Sequence, residues 1–315
     1  MKKVSIIVTT YNHEKYIRKC IDSLLMQKTN FEFEVILGDD SSTDATQDIL
    51  QEYLVKHPKI FDFFPNPKNT GMMQNFLRCL KKAKGEFVAI CEGDDYWIDP
   101  YKIQKQITAM LQHPKSDISF HPARMDNLKT GTSEIIAQHA AQNKIFTPEE
   151  VILGGGEFMP TASLVFKREI CDSIPDWFYK APVGDYFMQI LGSLKGGALY
   201  LPDVMSVYQL HTPGSWTVSM QSHDRQIKLN SQLILSLTDL DNHTHQEYHD
   251  VIHKKQLFIL LNTIRNRNIS LAQRKIFYTQ RNKVKIPLKN KISWLIIYRI
   301  PILHRILAKL KSIRF

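Results

Sequence analysis

The segment Cys91-Glu92-Gly93-Asp94-Asp95-Tyr96-Trp97 puts three carboxylates within four residues, directly after the apolar run Phe87-Val88-Ala89-Ile90. Like charges at that range raise one another's pKa unless a positive charge sits between them. A hard divalent cation with oxygen ligands supplies such a charge, and a phosphorylated substrate gives the cation a purpose. The segment therefore predicts metal-dependent chemistry on a phosphorylated ligand. The plain alternative is a solvated acidic turn.

The elements that must position these residues weigh against that alternative. Phe33-Glu34-Val35-Ile36-Leu37 reads as a buried strand and runs into Gly38-Asp39-Asp40-Ser41-Ser42-Thr43-Asp44. Val4-Ser5-Ile6-Ile7-Val8 reads as another and ends in Thr9-Thr10-Tyr11-Asn12. Between the strands, Tyr16, Ile17, Cys20, Ile21, Leu24 and Leu25 recur at helical spacing, as do Asn75, Phe76, Cys79 and Leu80. Asp44 is placed to cap the helix carrying Ile49 and Leu50. Strands alternating with helices predict an α/β fold with an open, mostly parallel, Rossmann-like sheet flanked by helices. Ligands of such sheets bind outside the carboxyl ends of the strands, where all three polar clusters fall.

The run Val4 to Asn12, then Asp39-Asp40-Ser41-Ser42-Thr43-Asp44, then Glu92-Gly93-Asp94-Asp95 resembles, in that order, the family 2 glycosyltransferases with a GT-A fold. Ala83-Lys84-Gly85-Glu86-Phe87 and Asn69-Thr70-Gly71 add to the resemblance. It covers residues 1–115 closely and continues more loosely to about residue 217. It implies that Thr9, Tyr11 and Asp39 hold the nucleoside of a nucleotide-sugar, with Asn12, Asp40, Asn69 and Gly71 completing the nucleotide-binding set. A carboxylate suits the donors of base and ribose, and Tyr11 offers a ring for the base. Glu92, Asp94 and Asp95 correspond to the D-x-D-like region facing the donor sugar and metal. The resemblance makes Asp94 the expected direct metal contact, and the Glu at position 92 is a departure from the usual pattern.

The second half must supply the acceptor side. Thr147-Pro148-Glu149-Glu150 reads as a capping box with Pro at the first helical position. Gly154-Gly155-Gly156 ends that helix, and the chain returns to a strand over 158–166. The triple glycine lacks the Lys-Ser/Thr of a phosphate-binding loop. Val183-Gly184-Asp185-Tyr186-Phe187 resembles the family's general-base segment, with Gly184 in place of the first acid, so Asp185 is the expected base; it also stands where a helix cap would. In Tyr208-Gln209-Leu210-His211-Thr212-Pro213-Gly214-Ser215-Trp216, His211 matches a residue able to reach the metal or diphosphate. Trp216 is a candidate wall of the acceptor pocket.

Composition divides the chain in two. Sixteen of the 41 Lys and Arg lie in residues 251–315, which hold no Asp or Glu; the first 250 residues keep 25 basic against 31 acidic residues, a net charge of −6. Helical spacing continues over 224–264. Leu303, Ile306, Leu307, Leu310 and Ile313 share one helical face with Arg305 and Lys309 opposite, and Pro301 separates them from Trp294-Leu295-Ile296-Ile297-Tyr298. A basic amphipathic tail of this kind predicts contact with an anionic membrane surface; packing on the catalytic domain, or dimerisation, is the alternative. No nucleic-acid recognition motif accompanies the charge. The expected organisation is a GT-A catalytic domain over 1–220, with a nucleotide-sugar half (1–115) and an acceptor half (116–220), followed by a helical basic C-terminal extension over 221–315.

Cys20, Cys79, Cys91 and Cys171 show no C-x-x-C spacing and read as free thiols of a reducing compartment. The apolar run after Met1-Lys2-Lys3 stops at Thr9, short of a signal-peptide core, and no run approaches the ~18 apolar residues of a membrane span. The sequence thus predicts an inverting, Mn- or Mg-dependent glycosyltransferase, cytoplasmic and peripheral on the inner membrane face. It would use a nucleotide-sugar donor, UDP-sugar favoured, and a glycan or lipid-linked acceptor for cell-surface polysaccharide. A sugar nucleotidyltransferase on a similar fold is the alternative, although Thr9-Thr10-Tyr11-Asn12 stands where its Gly-rich basic loop would be. A binding module with a decayed site conflicts with the intact Asp39, Asp94 and Asp185.

Overall fold

The computed structural model describes residues 3–265. It opens with β1 (Val4–Thr10), α1 (Ile17–Leu25), β2 (Phe33–Asp39), α2 (Thr46–Lys56), β3 (Phe61–Phe63), α3 (Met72–Lys82), β4 (Phe87–Ile90) and β5 (Tyr96–Trp97). There follow α4 (Lys102–Gln112), β6 (Ile118–Phe120), β7 (Ala123–Asn127), β8 (Thr132–Ile136), β9 (Lys144–Phe146), α5 (Pro148–Gly154), β10 (Val165–Lys167) and α6 (Glu169–Asp172). The last are α7 (Asp185–Ser193), β11 (Ala198–Tyr200), β12 (Ser206–Leu210), α8 (Trp216–Ser219), α9 (His223–His243) and α10 (His249–Arg265).

An eight-stranded sheet has the order β3-β2-β1-β4-β10-β6-β11-β9. The pairs β3–β2, β2–β1, β1–β4 and β6–β11 are parallel, while β10 runs antiparallel to β4 and β6, and β9 to β11. A smaller sheet, β5-β12-β7-β8, carries the parallel pair β12–β7.

β1 is buried along its whole length, as expected of a parallel strand covered on both faces. Val4, Ile6 and Val8 join Val35, Leu37, Phe87 and Ala89 in a core with Ile17, Cys20, Ile21 and Leu24 of α1 and Ile103, Ile107 and Met110 of α4. The opposite face meets α3 at Gly38. A Cβ there would lie 2.3 Å from Cys79 Sγ, so glycine is what lets the helix approach. Gly85, just before β4, lets the chain approach the β1 backbone instead: a Cβ there would lie 2.5 Å from the Ser5 nitrogen. Ser5 Oγ accepts the Gly85 N–H at 2.8 Å. The Ala83–Phe87 phrase is therefore structural, at the sheet edge opposite the polar clusters.

Two expectations need correction. The strand read over 158–166 is only β10; a 3-10 turn occupies Thr161–Ser163, held by Ser163 N–H on Pro160 O at 2.8 Å. The cap position of α2 is Ala45, and Asp44 acts from one residue further out, its carboxylate accepting the Thr46 N–H at 3.0 Å. The capping box at Thr147 is formed, with both reciprocal bonds present.

The chain divides into two units, Met1–Tyr179 with Val183–Val218, and Lys180–Pro182 with Ser219–Phe315. In the second, α9 and α10 form a helical hairpin tied by Gln256 Nε2 to Ile234 O at 3.0 Å and by Asn230 Nδ2 to Thr263 Oγ1 at 2.8 Å. The face α9 buries is Ile227, Ile234, Leu237 and Leu240. The amphipathic stretch 294–313 and Pro301 lie outside the described residues. Among the described residues no helix is long and apolar enough to cross a membrane.

Candidate active site

β1 organises the site through its main chain. Asp40 N donates to Thr10 O at 2.9 Å, Cys91 N to Ile7 O at 3.0 Å and Gly93 N to Thr9 O at 2.9 Å. The segments following β2 and β4 are thereby fixed on either side of the segment following β1. All three leave the sheet at its carboxyl edge, because the three strands are parallel.

The acidic segment is folded inward. Asp95 is buried, and its Oδ1 accepts the Gln209 N–H of β12 at 3.0 Å. Gln209 Nε2 also donates to the Asp94 carbonyl. Asp94 Oδ2 accepts the hydroxyl of the fully buried Thr212 at 2.7 Å, and His13 Nε2 lies 3.9 Å from the same oxygen. Burial, then the charges of Asp94 and Asp185, push the Glu92 carboxyl up to about 8. Burial, followed by Asp94 and Glu92, holds Asp95 well above the ordinary carboxylate range. Burial beside the same three carboxylates also pushes the Tyr208 phenol up to about 12.

Asp185 begins α7, after Gly184. Its Oδ1 accepts the Tyr186 N–H at 2.7 Å and its Oδ2 the Thr161 hydroxyl at 3.1 Å. Burial raises its pKa, and those two bonds oppose the rise. Asp185 follows the acidic segment by some ninety residues in sequence, yet its charge reaches Glu92.

The residues expected around the nucleotide are placed at the same edge, with different freedoms. Asp39 is fully buried and accepts Ser42 N–H at 2.9 Å, Gln47 Nε2 at 2.7 Å and the Ser42 hydroxyl. Asp40 accepts Asn66 Nδ2 at 2.6 Å, the Thr70 N–H and hydroxyl at 2.9 Å each, and Gly71 N–H at 2.8 Å. Its carboxylate thus holds the loop that carries Asn69 and Gly71. Gly71 has φ +87° with open space around its α-carbon, and Asn69 Oδ1 accepts its N–H at 3.2 Å. Asn12, at φ +56°, ties β1's exit to the turn after β2 through Thr43 N–H on its Oδ1 at 2.8 Å. Thr9 is buried and Tyr11 exposed.

His211 follows β12 with φ +71°, and its Nδ1 is buried without a hydrogen-bond partner. Trp216 is exposed at the start of α8. Among the described residues no three His, Cys, Asp or Glu side chains are grouped so as to hold a metal ion. By chemical type the residues suit a cation: carboxylates at Glu92 and Asp94 whose charges repel, and an imidazole nitrogen of His211 without a hydrogen-bond partner. Magnesium-type sites take one or two protein carboxylates and complete their shell with substrate phosphates and water.

Sequence reasoning passed over His13, Thr161, Gln209 and Thr212. Gln209 and Thr212 flank His211 in a segment already singled out, but a Gln and a Thr carry no chemical signature by themselves. His13 adjoins Asn12, and its nearness to Gly93 (2.9 Å to a Cβ built there) is visible only in three dimensions.

The α/β sheet and its acidic carboxyl edge have the GT-A glycosyltransferase fold. Staphylococcus aureus TarS 1–349 in complex with UDP-GlcNAc matches with a TM-score of 0.60 at 20% identity, over 94% of this chain and 79% of that one. The mannosyltransferase PcManGT from Pyrobaculum calidifontis, in complex with GDP-Man and Mn2+, matches at a TM-score of 0.52 and 16% identity, over 99% of this chain and 87% of that one. The family model described as glycosyl transferase family 2 matches residues 5–171, and the chain belongs to that family. An uncharacterized protein of Mycobacterium tuberculosis is 35% identical over 221 residues, 68% of this chain and 60% of its own length. The poly(ribitol-phosphate) beta-N-acetylglucosaminyltransferase TarS of S. aureus is 43% identical over 98 residues, 30% of this chain and 17% of its own. The chain thus spans 60% or less of the length of these two relatives.

Proposed function

We propose that this protein is an inverting glycosyltransferase that moves a sugar from a nucleoside-diphosphate sugar to a hydroxyl of a glycan or lipid-linked acceptor, in the synthesis of cell-surface polysaccharide. The observation that carries the reading is the acidic carboxyl edge, where Asp95 and Asp94 are held by Gln209 and Thr212, together with the oriented carboxylate of Asp185 at the start of α7. UDP is the favoured nucleotide, in keeping with the UDP-GlcNAc bound by TarS.

Asp185 is the general base. It takes the proton of the acceptor hydroxyl as that oxygen bonds to the anomeric carbon and the bond from carbon to the diphosphate oxygen breaks. Attack opposite the leaving group inverts the centre and needs no covalent enzyme intermediate. Burial raises the basicity of Asp185 toward the pH at which it must act. Thr9, Tyr11 and Asp39 serve the nucleoside, Asn12, Asn69 and Gly71 line its approach, and Asp40 acts by shaping the Asn69–Gly71 loop. Glu92 and Asp95 border the donor sugar, and Trp216 borders the acceptor.

Asp94 and His211 are the residues that would hold a Mn or Mg ion. Such an ion would neutralise charge on the departing diphosphate. The pairing of GDP-Man with Mn2+ in PcManGT supports this part of the reading. The basic residues of 251–315 would place the enzyme at the cytoplasmic face of an anionic membrane; co-sedimentation with phosphatidylserine vesicles, lost at high salt, checks it.

The deciding experiment is thermal stabilisation by UDP and GDP with Mn2+, with Mg2+ and with EDTA, on wild type and Asp94→Ala. A ligand at ~100 times its Kd adds ~2.7 kcal/mol of stability. A metal-dependent rise in Tm with one nucleotide, lost in Asp94→Ala, supports the reading. Failure of every nucleotide to move Tm means the acidic edge is not a donor site.

A further inference from the structure

The 3-10 turn Thr161–Ser163 lies between the acidic segment and α7, and buried side chains grip it from two sides. Trp97 Nε1, two residues beyond Asp95, donates to Ala162 O at 3.0 Å. Gln106 Nε2, from α4, donates to Ser163 O at 2.9 Å and to Ser119 Oγ at 3.1 Å. Trp97 and Gln106 are essentially inaccessible to solvent.

The orientation of the Gln106 amide is itself fixed. Its Oε1 accepts Lys102 Nζ at 2.8 Å. The Ser163 carbonyl can only accept, so the NH2 must face the turn and the amide oxygen is left to face Lys102. Lys102 is fully buried, with its Nζ 4.1 Å from the centre of the Trp97 ring. One residue past the turn, Leu164 O accepts the Ile90 N–H at 3.2 Å, tying it to the strand that runs into the acidic segment. The side chain this braced turn presents to α7 is Thr161, whose hydroxyl meets Asp185 Oδ2 at 3.1 Å.

We propose that Thr161 is a positioning residue for Asp185: its hydroxyl, on a turn clamped by Trp97 and Gln106, fixes the orientation of the Asp185 carboxylate. The inference rests on the reading of Asp185 as general base. With Oδ1 held by the Tyr186 N–H and Oδ2 by Thr161, rotation of the carboxylate is blocked at both oxygens. Without Thr161 one oxygen is released, and misplacement of a reacting group by an ångström is enough to cost ~100-fold in rate.

Thr161→Val keeps the shape and removes the hydroxyl; Thr161→Ser keeps the hydroxyl. Two readouts decide. The side-chain carboxyl 13C signal of Asp185, assigned by its loss in Asp185→Asn, is titrated in each protein. The same titration in a Glu92→Gln background separates the Glu92 charge, which couples to Asp185. The expected result is a higher titration midpoint in Thr161→Val and the wild-type midpoint in Thr161→Ser. The second readout is release of UDP from UDP-GlcNAc with Mn2+. Turnover is expected to fall by about ten- to a hundredfold in Thr161→Val at unchanged KM, and to recover in Thr161→Ser. An unchanged midpoint in Thr161→Val, or full turnover in that variant, overturns the inference. Full turnover in Asp185→Asn would instead remove the base assignment, while the titration would still report the bond between the two residues. If wild type does not turn over UDP-GlcNAc, the donor assignment fails and the titration alone decides.

Discussion

The Thr212 hydroxyl donates a 2.7 Å hydrogen bond to Asp94 Oδ2, joining residues 118 positions apart in the chain. Thr212 is fully buried, so the bond is shielded from water and holds the carboxylate proposed to face the metal. Thr212→Val should leave the fold intact at a cost of about 1 kcal/mol and loosen Asp94. The expected outcome is a smaller Mn2+-dependent rise in Tm with UDP than in wild type. An equal rise would mean that Asp94 needs no support from the segment after β12.

Glu92 gives a pH prediction with a definite sign. Its folded pKa is raised from 4.5 to about 8 by burial and by Asp94 and Asp185. Between those values the folded protein holds a proton that the unfolded chain has lost, so stability falls as pH rises through that window. Glu92→Gln should flatten this part of the Tm–pH curve between pH 5 and 8. A divalent cation should stabilise the wild type more at pH 8 than at pH 5.5, because it replaces the missing proton.

Lys102 acts with the opposite slope at higher pH. Burial lowers it from 10.5 to about 7. Between those values the unfolded chain binds a proton that the folded protein does not, so this group makes stability rise as pH climbs from 7 toward 10. Lys102→Met removes the buried amine, and its gain in Tm relative to wild type should be larger at pH 6 than at pH 9. Each kcal/mol corresponds to roughly 2–4 °C in a domain of about this size. Equal Tm differences at the two pH values would contradict a buried amine with a depressed pKa.

Gly93 and Gly71 separate two reasons for glycine. A Cβ at Gly93 would lie 2.8 Å from Thr10 Cβ and 2.9 Å from His13 Nδ1, whereas at Gly71 it meets nothing within 4 Å and the constraint is φ +87°. Gly93→Ala should cost about 1–3 kcal/mol through overpacking and displace His13 and the acidic segment together, reducing nucleotide-dependent stabilisation. Gly71→Ala should also lower stability, by strain of order 1–3 kcal/mol, while leaving the acidic segment in place. Denaturant unfolding of both variants, with and without UDP and Mn2+, distinguishes the two.

Much of the first half was legible in the sequence because its signals are local. Short β-branched or apolar runs such as Val4–Val8 and Phe87–Ile90 read as covered strands, and their order with the helices predicts a parallel arrangement whose carboxyl ends share an edge. The Thr147 capping box depends on four consecutive residues and forms as read. The strand expected over 158–166 shrank to Val165–Lys167 because Pro160 and the grip of Trp97 and Gln106 favour a turn. The antiparallel insertion of β10 between β4 and β6 leaves no mark on residue types.

By itself the sequence determined the strand endings, the acidic segment, the family and the uneven charge of the chain, since each is written in neighbouring residues or in composition. Only the tertiary structure decided which of those residues face one another. Asp39 and Asp40 look equivalent side by side, yet Asp39 accepts from Ser42 in the turn after β2 and Gln47 of α2, and Asp40 from the loop before α3. Thr161 joins Asp185, and Thr212 joins Asp94, because the strands and helices around them bring distant segments together. Those relationships come from long-range packing and the burial of charge. Neither has a local signature, because an ordinary Thr or Gln gains its role only from what the fold sets against it.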